Sequence, residues 1–397
     1  MNILIVSDAY PMPDRNSGDF RFSTLIGMIR EKHNVFFCAL GEKRQVEEIG
    51  SKQTARYREA LGEAGIQVLN SGAGRALRER AYGAVLFEWY FTATQLIDNV
   101  REWQPNARLI VDAVDVVFNR LEAKSRVTKT TQDINKALET KRKELSVYDK
   151  ADIVITVTDA DAVILHRINP RLVTFTVPNI HPLQVPVPIP ANNDKRLIFV
   201  GSFTHEPNID AMHYLCEEVL PLIVEAEPEV ILRIVGNAPT QEILQLASAH
   251  VEVLGYVPET RPFLETSTIS IAPLRFGGGM KGKIGEAMSY GLPVVTTAIG
   301  IEGFGLNPGE HILVGNDPRS FADAVIKLLR DRDFLEQVRM AGHRFISEHY
   351  SDVAVRARVH TLFDQLESYP IKCLPLPQLG LRKAKAFWHR HIEWRLK

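Results

Sequence analysis

Short runs of β-branched and aromatic residues alternate with longer amphipathic segments along most of this 397-residue chain. Such alternation is typical of a parallel β-sheet covered by helices on both faces. The alternation stops near the middle of the chain and then starts again. The sequence therefore predicts an α/β protein with two Rossmann-like, doubly wound domains. The predicted strands are 3–6, 35–39, 84–87, 109–112, 153–157 and 173–177 in the first half, and 196–200, 230–235, 251–254, 269–272 and 293–296 in the second.

A proline-rich run separates the two series of strands. It contains Pro178, Pro182, Pro186, Pro188 and Pro190, a density that neither a helix nor a central strand accommodates. We interpret it as a linker. The predicted organisation is an N-terminal domain (1–180), a linker (181–195), a C-terminal domain (196–350), a helix that returns to the N-terminal domain (351–368) and a tail (369–397). Two such domains place a cleft between the carboxyl ends of both sheets, where ligands bind in these folds.

Composition excludes several classes of protein. The 47 Lys and Arg residues nearly balance the 48 Asp and Glu residues, so the overall charge does not attract nucleic acid. Cys38, Cys216 and Cys373 are widely separated, which argues against a disulfide framework or a zinc site. The apolar start lacks the basic region of a signal peptide, and no apolar run approaches the ~20 residues of a spanning helix. We expect a cytoplasmic protein whose membrane contact, if it has one, is peripheral and at the inner face.

The clearest local motif is the glycine-rich segment that follows the predicted strand 269–272. It reads Gly277-Gly278-Gly279-Met280-Lys281-Gly282-Lys283 and leads into a predicted helix. Glycine allows close approach of a ligand to the backbone, and the amino end of a helix attracts a phosphate. Because two lysines lie there, the segment predicts a diphosphate-binding loop. The same residues fit the GxxxxGK opening of a nucleoside triphosphate P-loop, but Ile284 occupies the position where that motif needs a Ser or Thr.

The segment from Lys283 to Gly303 resembles the donor-site signature of the family-4 (group 1) retaining glycosyltransferases. Residues 199–208, 234–237 and 253–257 resemble further segments of that family in the expected order. The resemblance implies the GT-B fold, in which two Rossmann-like domains face a central cleft. It also implies a nucleotide diphosphate sugar as co-substrate, held mainly by the C-terminal domain, an acceptor held mainly by the N-terminal one, and transfer with retention of configuration.

On the donor side, Glu286 matches the second acid of the family's EX7E motif, whose carboxylate accepts hydrogen bonds from the ribose hydroxyls. The first acid would fall at Gly278, so backbone amides of residues 277–280 are expected to replace it. Lys281 and Lys283, helped by His205, are expected to neutralise the diphosphate. The complete donor-binding set is Gly201, Ser202, His205, Asn208, Val257, Gly277, Gly278, Gly279, Met280, Lys281, Lys283 and Glu286.

On the acceptor side, Gly18 lies in a loop that resembles the family's glycine-containing loop near the transferred sugar. Glu88 follows one buried strand, and Asp112 and Asp115 follow another, so all three carboxylates should project into the cleft. Relatives often have a histidine near the last position, and its absence leaves the sugar-contacting group open between Asp112 and Asp115. These four residues are the catalytic candidates.

We expect no metal or other cofactor. The triplets Asp159-Ala-Asp161 and Asp331-Arg-Asp333 have the pattern that holds a divalent ion in other glycosyltransferases, but one opens a predicted helix and the other lies between two helices. The expected activity is that of a metal-independent, retaining hexosyltransferase acting on a glycan or lipid-linked acceptor, in the synthesis of a cell-surface polysaccharide or glycolipid. The alternatives are a GT-B sugar-nucleotide epimerase and a non-catalytic module that binds sugar nucleotides.

The tail from Leu381 to Lys397 is basic and aromatic. It holds six Lys or Arg residues against one Glu, interleaved with Phe387, Trp388 and Trp394. This pattern predicts an amphipathic helix that lies on an anionic membrane surface. A helix packed on the N-terminal domain with a solvated basic face is the alternative.

Overall fold

The computed structural model describes residues 1–70, 72–186, 195–277 and 279–372. All strands in these ranges belong to two parallel sheets. One sheet is formed by the first half of the chain and the other by the second half. The first sheet has the order β3-β2-β1-β4-β5-β6-β7, and the second has the order β10-β9-β8-β11-β12-β13. The strands are β1 Asn2–Ser7, β2 Asn34–Ala39, β3 Gln67–Val68, β4 Ala84–Glu88, β5 Arg108–Asp112, β6 Ile153–Thr156, β7 Thr174–Thr176, β8 Arg196–Val200, β9 Ile231–Val235, β10 Val251–Gly255, β11 Ile269–Ala272, β12 Val294–Thr296 and β13 Leu313–Val314.

Helices cover both faces of each sheet, as the crossover connections of parallel strands require. The N-terminal half contains α1 Ser17–Arg30, α2 Glu42–Ile49, α3 Ser51–Glu63, α4 Ala73–Glu79, α5 Tyr90–Trp103, α6 Val117–Thr128, α7 Thr131–Tyr148 and α8 Asp159–Ile168. The C-terminal half contains α9 Glu206–Tyr214, α10 Leu220–Ala226, α11 Gln241–Leu244, α12 Arg261–Glu265, α13 Gly282–Ser289, α14 Pro318–Arg330, α15 Arg332–His349 and α16 Asp352–Asp364. A π-helical turn, Leu215–Val219, joins α9 to α10.

The predicted α/β fold with two parallel sheets is confirmed, and the structure adds three details. The edge strands β3 and β13 are only two residues long, too short for a periodic pattern. Residues 42–63 form two helices and not one, because Gly50 has a φ of 85° and interrupts the regular backbone. The first strands of the two halves, β1 and β8, lie inside their sheets. Later strands are therefore added on both sides of them.

The two halves contact each other where the chain crosses between them. Past β7, the amide of Asn179 donates to the carbonyl of Met280 (3.4 Å), and Gln184 N–H donates to the carbonyl of Ser289 (3.1 Å). Between α6 and α9, Lys124 pairs with Glu206 at 3.1 Å. Of the predicted linker 181–195, residues 187–194 lie outside the described part of the chain.

The chain crosses back at its C-terminal end. Helix α16 packs against α1, and Val355, Val359, Leu362 and Phe363 join the core of the first sheet. Of the predicted tail 369–397, residues 373–397 are outside the described ranges. Within those ranges, no helix combines the length and apolar character needed to cross a lipid bilayer.

Candidate active site between the two sheets

The glycine-rich segment joins β11 to α13 at the carboxyl edge of the second sheet. Gly277 and Gly279 have φ values of 148° and 62°, which side-chain-bearing residues rarely adopt. Gly278 lies outside the described residues. At Gly282, the first residue of α13, a Cβ atom would lie 2.5 Å from Ser17 Oγ. The amino end of α13 therefore lies directly against the amino end of α1 from the other domain.

The ammonium group of Lys283 is held by two close contacts. Its Nζ donates to Asn208 Oδ1 at 2.6 Å and lies 4.0 Å from the centroid of the Phe199 ring. Burial lowers the pKa of Lys283 to about 7, although the carboxylate of Glu286 acts in the opposite direction. Because Asn208 also donates to the carbonyl of Ser202 (2.6 Å), the loop after β8 is fixed against this lysine.

Gly201 has no side chain at a point where Lys283 and Asn208 approach the backbone closely. A Cβ atom at this position would lie 2.8 Å from Lys283 Nζ and 2.9 Å from Asn208 Nδ2. The predicted residues Gly201, Ser202, Asn208 and Lys283 are thus brought together. His205 lies at the start of α9 with its side chain exposed at one side, and partial desolvation of the imidazole, followed by the charges of Arg120 and Lys283, lowers its pKa. The imidazole of His205 is thus within electrostatic range of Arg120 from the first domain and Lys283 from the second.

Lys281 is directed toward its own loop. Its buried Nζ donates to the carbonyl of Gly279 at 2.8 Å and lies 3.4 Å from Glu302 Oε2. Burial lowers the pKa of Lys281, and Glu302 opposes that effect. Met280 is half-buried and is bound through its carbonyl by Asn179. This lysine therefore has intramolecular partners at the place where the sequence predicted a phosphate contact.

Glu286 lies in the second turn of α13 and accepts a hydrogen bond from Thr260 Oγ1 at 2.6 Å. Burial raises its pKa, against the hydrogen bond from Thr260 and the charge of Lys283. Its second carboxylate oxygen accepts no hydrogen bond from the described residues. Val257 precedes Thr260 on the same connection and packs against the apolar cluster under α13.

Glu88 and Asp112 are adjacent residues on the paired strands β4 and β5, at the carboxyl edge of the first sheet. Glu88 is buried and accepts a hydrogen bond from Ser7 Oγ at 2.5 Å. Burial raises the pKa of Glu88 to about 8, so the side chain is mainly a neutral acid at pH 7.

The expectation that Asp112 projects into the cleft is wrong. Its side chain is completely buried, and its two oxygens accept hydrogen bonds from the guanidinium of Arg21 at 2.8 and 3.1 Å. The same guanidinium donates to the carbonyl of Val177 at 2.9 and 3.1 Å. A buried guanidinium requires a counter-ion and acceptors for its N–H groups, and Asp112 meets that requirement.

Asp115 is the carboxylate that reaches the glycine-rich segment. It is half-buried, accepts from Arg120 Nε at 2.7 Å, and its Oδ1 lies 3.7 Å from where a Cβ of Gly279 would be. Gly18 lies in the first turn of α1, next to the contact of Ser17 with α13. Asp115 and Gly18 of the first domain thus lie close to the glycine-rich segment of the second.

Both DxD triplets begin helices. Thr158 caps α8, and its hydroxyl donates to Asp161 at 2.7 Å, whereas Asp331 caps α15 by accepting from Phe334 N–H at 2.9 Å. In the part of the chain that the structure describes, no group of three or more His, Cys, Asp or Glu side chains is arranged to hold a metal ion.

Four residues at this site were missed by the sequence analysis: Ser7, Arg21, Thr260 and Glu302. Arg21 carried the strongest indication, because it interrupts the apolar positions Phe22, Leu25 and Ile26 of a predicted helix. A charged residue among core positions indicates a buried ion pair. Ser7, Thr260 and Glu302 lie in segments whose local patterns contain no comparable anomaly.

Part of the chain matches a known protein family. Residues 194–331 match the model of a family described as glycosyl transferases group 1. An uncharacterized 44.6 kDa protein in the cps region of Klebsiella pneumoniae is 27% identical over 189 residues, which are 44% of this chain and 49% of that protein. The aligned region thus spans about half the length of this curated relative.

Two solved structures resemble this chain over most of its length. HepE from Anabaena, in complex with UDP, has a TM-score of 0.68 and 14% identity over 92% of this chain and 100% of its own. The sucrose-phosphate synthase of Thermosynechococcus elongatus has a TM-score of 0.65 and 14% identity over 93% of this chain and 100% of its own. With its two Rossmann-like parallel sheets, the chain has the GT-B fold, and its residues 194–331 match the group 1 glycosyl transferase family.

Proposed function

We propose that this protein is a retaining, metal-independent hexosyltransferase that moves a sugar from a nucleoside diphosphate donor to a glycan or lipid-linked acceptor. The observation that carries the proposal is the placement of Lys283 and Glu286 on α13, behind the glycine-rich segment and inside the matched region. The complex of the similar HepE structure with UDP supports a nucleotide donor.

Lys283 is proposed to stabilise the departing diphosphate. Cleavage of the bond to the sugar develops negative charge on the β-phosphate, and a fixed cation aimed there lowers the barrier. Asn208 holds the ammonium at 2.6 Å, and the missing side chain of Gly201 lets both Lys283 and Asn208 lie against the loop that follows β8. The amino end of α13 adds the positive end of a helix dipole. These groups take the place that a divalent metal has in other enzymes.

Glu286 is proposed to bind the ribose. A carboxylate accepts hydrogen bonds from two neighbouring hydroxyls, and Thr260 orients this one by binding a single oxygen. The diphosphate would then extend from the ribose toward Lys283, one helical turn nearer the amino end of α13. This order fixes the direction in which the donor lies in the cleft.

On the acceptor side, Asp115 is proposed to contact the transferred sugar across the cleft. It is the carboxylate of the first domain that lies near Gly279. Glu88, buried and mainly protonated at pH 7, is proposed to donate a hydrogen bond to a sugar hydroxyl beside it. Retention requires attack from the face that the leaving group occupies, and a diphosphate oxygen on that face accepts the acceptor's proton.

The relative in the cps region supports a polysaccharide context, and we propose such a role here. A lipid-linked acceptor would place the enzyme at the inner face of the membrane, with the basic segment 381–397 as the contact. Deleting that segment should abolish sedimentation with anionic liposomes while leaving nucleotide binding intact. Equal sedimentation of both forms would contradict the membrane proposal.

The donor site is tested by calorimetric titration with UDP, GDP, dTDP and CDP. One of them should bind, and Glu286→Gln should weaken that nucleotide about tenfold or more, because charge-assisted hydrogen bonds contribute roughly 1.5–3 kcal/mol. The 2′,3′-dideoxy nucleotide should bind weakly to both forms. Glu59→Gln, an exposed change on α3, is the matched control. Equal affinity of Glu286→Gln and the wild type for the normal nucleotide would refute the ribose assignment.

Catalysis is tested with the sugar derivatives of the nucleotide that binds. Slow donor hydrolysis or transfer that survives EDTA supports a metal-independent transferase. Loss of activity on chelation, restored by Mg²⁺ or Mn²⁺, would contradict metal independence. Release of an epimerised nucleotide sugar would favour the epimerase, and tight donor binding without turnover would favour the non-catalytic module.

A further inference from the structure

Two residues with side chains adopt left-handed backbone conformations at neighbouring strand ends of the first sheet. Trp89 follows Glu88 of β4 with a φ of 65°, and Val114 lies two residues beyond Asp112 of β5 with a φ of 57°. Such values are uncommon for residues other than glycine, and a β-branched valine is an outlier there. Strained backbone of this kind concentrates at ligand-binding sites, because the surrounding structure must hold it in place.

The structure braces both turns. Trp89 N–H donates to the carbonyl of Asp112 at 2.9 Å, and the carbonyl of Trp89 accepts from Thr92 Oγ1 at 2.8 Å. At Val114, Asp115 N–H donates back to the carbonyl of Ala113 at 2.5 Å, which closes a γ-turn. These bonds fix the backbone from which the Trp89 ring and the Asp115 carboxylate project.

The strained turn at Trp89 presents an aromatic surface. The rings of Trp89 and Phe91 are stacked, with centroids 5.8 Å apart and an interplanar angle of 18°. Tyr90 contacts Phe91 edge-on at 5.7 Å. Phe91 is 41% exposed, although an aromatic ring of this size is normally covered. A tryptophan held in a conformation that favours glycine, beside an exposed phenylalanine, is costly unless the rings have a partner.

We propose that Trp89 and Phe91 form a stacking platform for a pyranose ring of the acceptor. One face of a pyranose is lined by C–H groups and packs on an aromatic ring, while its hydroxyls need hydrogen-bonding groups at the edge. Glu88 directly precedes the platform, and Asp115 lies at the end of the neighbouring strand. The platform directly follows β4 at the carboxyl edge of the first sheet, in the domain that is proposed to hold the acceptor.

That the pyranose belongs to the acceptor rests on the proposed function. Binding of a sugar to the platform, however, is measured without any donor. Saturation-transfer difference NMR with the methyl pyranosides of glucose, galactose, mannose and N-acetylglucosamine serves as the probe. At least one of them should receive saturation through its ring C–H protons. Trp89→Gly should weaken that binding about tenfold or more, as loss of an aromatic stacking partner does elsewhere.

The same variant separates binding from structure. Glycine suits the left-handed turn, so Trp89→Gly should unfold at the same temperature as the wild type or a higher one. Trp103→Phe, at the far end of α5, is the matched control and should retain pyranoside binding. A Trp89→Gly variant that binds the sugar as well as the wild type overturns the proposal, and so does marked destabilisation, which would show that the ring serves packing.

Two further outcomes are decisive. Binding of an isoprenoid alcohol that Trp89→Gly abolishes, with no response to any pyranoside, would make the platform a lipid contact and overturn the sugar assignment. If the protein binds a pyranoside but none of the nucleoside diphosphates, the platform is supported and the proposed transferase is refuted. Nucleotide affinity itself should be the same in Trp89→Gly and the wild type.

Discussion

Arg21 of α1 and Asp112 of β5 form a completely buried, bidentate ion pair, and the same guanidinium binds the carbonyl of Val177. Val177 is the residue after β7 from which the chain leaves for the second domain. One side chain thereby connects the first helix, a central strand and the start of the crossover.

Breaking this pair should strongly destabilise the protein. Asp112→Asn and Arg21→Met each leave one buried partner uncompensated, which costs about 3–5 kcal/mol. Urea unfolding measures the change, and the double variant Arg21→Met with Asp112→Leu should recover part of the loss. The exposed pair between Lys32 and Asp364, 2.7 Å apart, is the control, and its removal should leave the free energy of unfolding nearly unchanged. Similar effects at the two pairs would contradict the role given to burial.

Glu88 should make stability depend on pH. Its pKa is raised from 4.5 to about 8 by burial, so the folded state binds a proton that the unfolded state releases. Stability from this group is therefore present below pH 4.5 and is lost as the pH rises toward about 8. Glu88→Gln cannot ionise, and its stability relative to the wild type should rise over that interval and then level off. A difference that is constant with pH, measured by thermal unfolding, would be inconsistent with a buried neutral acid.

Lys283 should make nucleotide binding depend on pH. Burial lowers its pKa to about 7, so the unliganded protein loses the charge as the pH rises through that value. Binding above about pH 7 then requires proton uptake, and affinity should fall by up to tenfold per pH unit. Lys283→Met should bind weakly at all pH values and lack this dependence. Comparing the two proteins in calorimetry removes the titration of the nucleotide's own phosphate, and parallel pH profiles would exclude Lys283 as the titrating group.

Gly285 of α13 should tolerate no side chain while His181 is present. A Cβ atom at this position would lie 2.1 Å from Nε2 of the buried His181, at the crossover between the domains. Gly285→Ala should therefore cost about 1–3 kcal/mol through overpacking, although alanine favours helices.

Replacing His181 tests whether its ring causes the destabilisation by Gly285→Ala. His181→Ala combined with Gly285→Ala should recover much of the loss, as a double-mutant cycle in urea would show. Gly27→Ala in α1, where a Cβ meets nothing within 4 Å, is the control and should be neutral or stabilising. Additive effects at 181 and 285 would show that the two residues do not share a packing constraint.

The sequence predicted those features that depend on neighbouring residues. All strands except β3 and β13 could be identified because each is a short apolar run. The glycine-rich loop could be located because its glycines are consecutive in the sequence, and Gly277 and Gly279 indeed adopt backbone conformations that favour glycine. The burial of Asp112 could not be predicted in the same way, since it depends on Arg21, 91 residues earlier. The contact of Thr260 with Glu286 likewise joins segments that only the tertiary fold brings together.

Helix α16 completes the core of the first domain although it comes after the whole of the second. During synthesis, the part of α1 that packs against α16 therefore stays uncovered while about 170 residues of the second domain are made. At ribosomal rates of about 5–20 residues per second, the delay is roughly 10 to 35 seconds. The second domain, in contrast, is continuous in sequence and needs no later segment for its core. We therefore expect the domain that leaves the ribosome first to finish folding last.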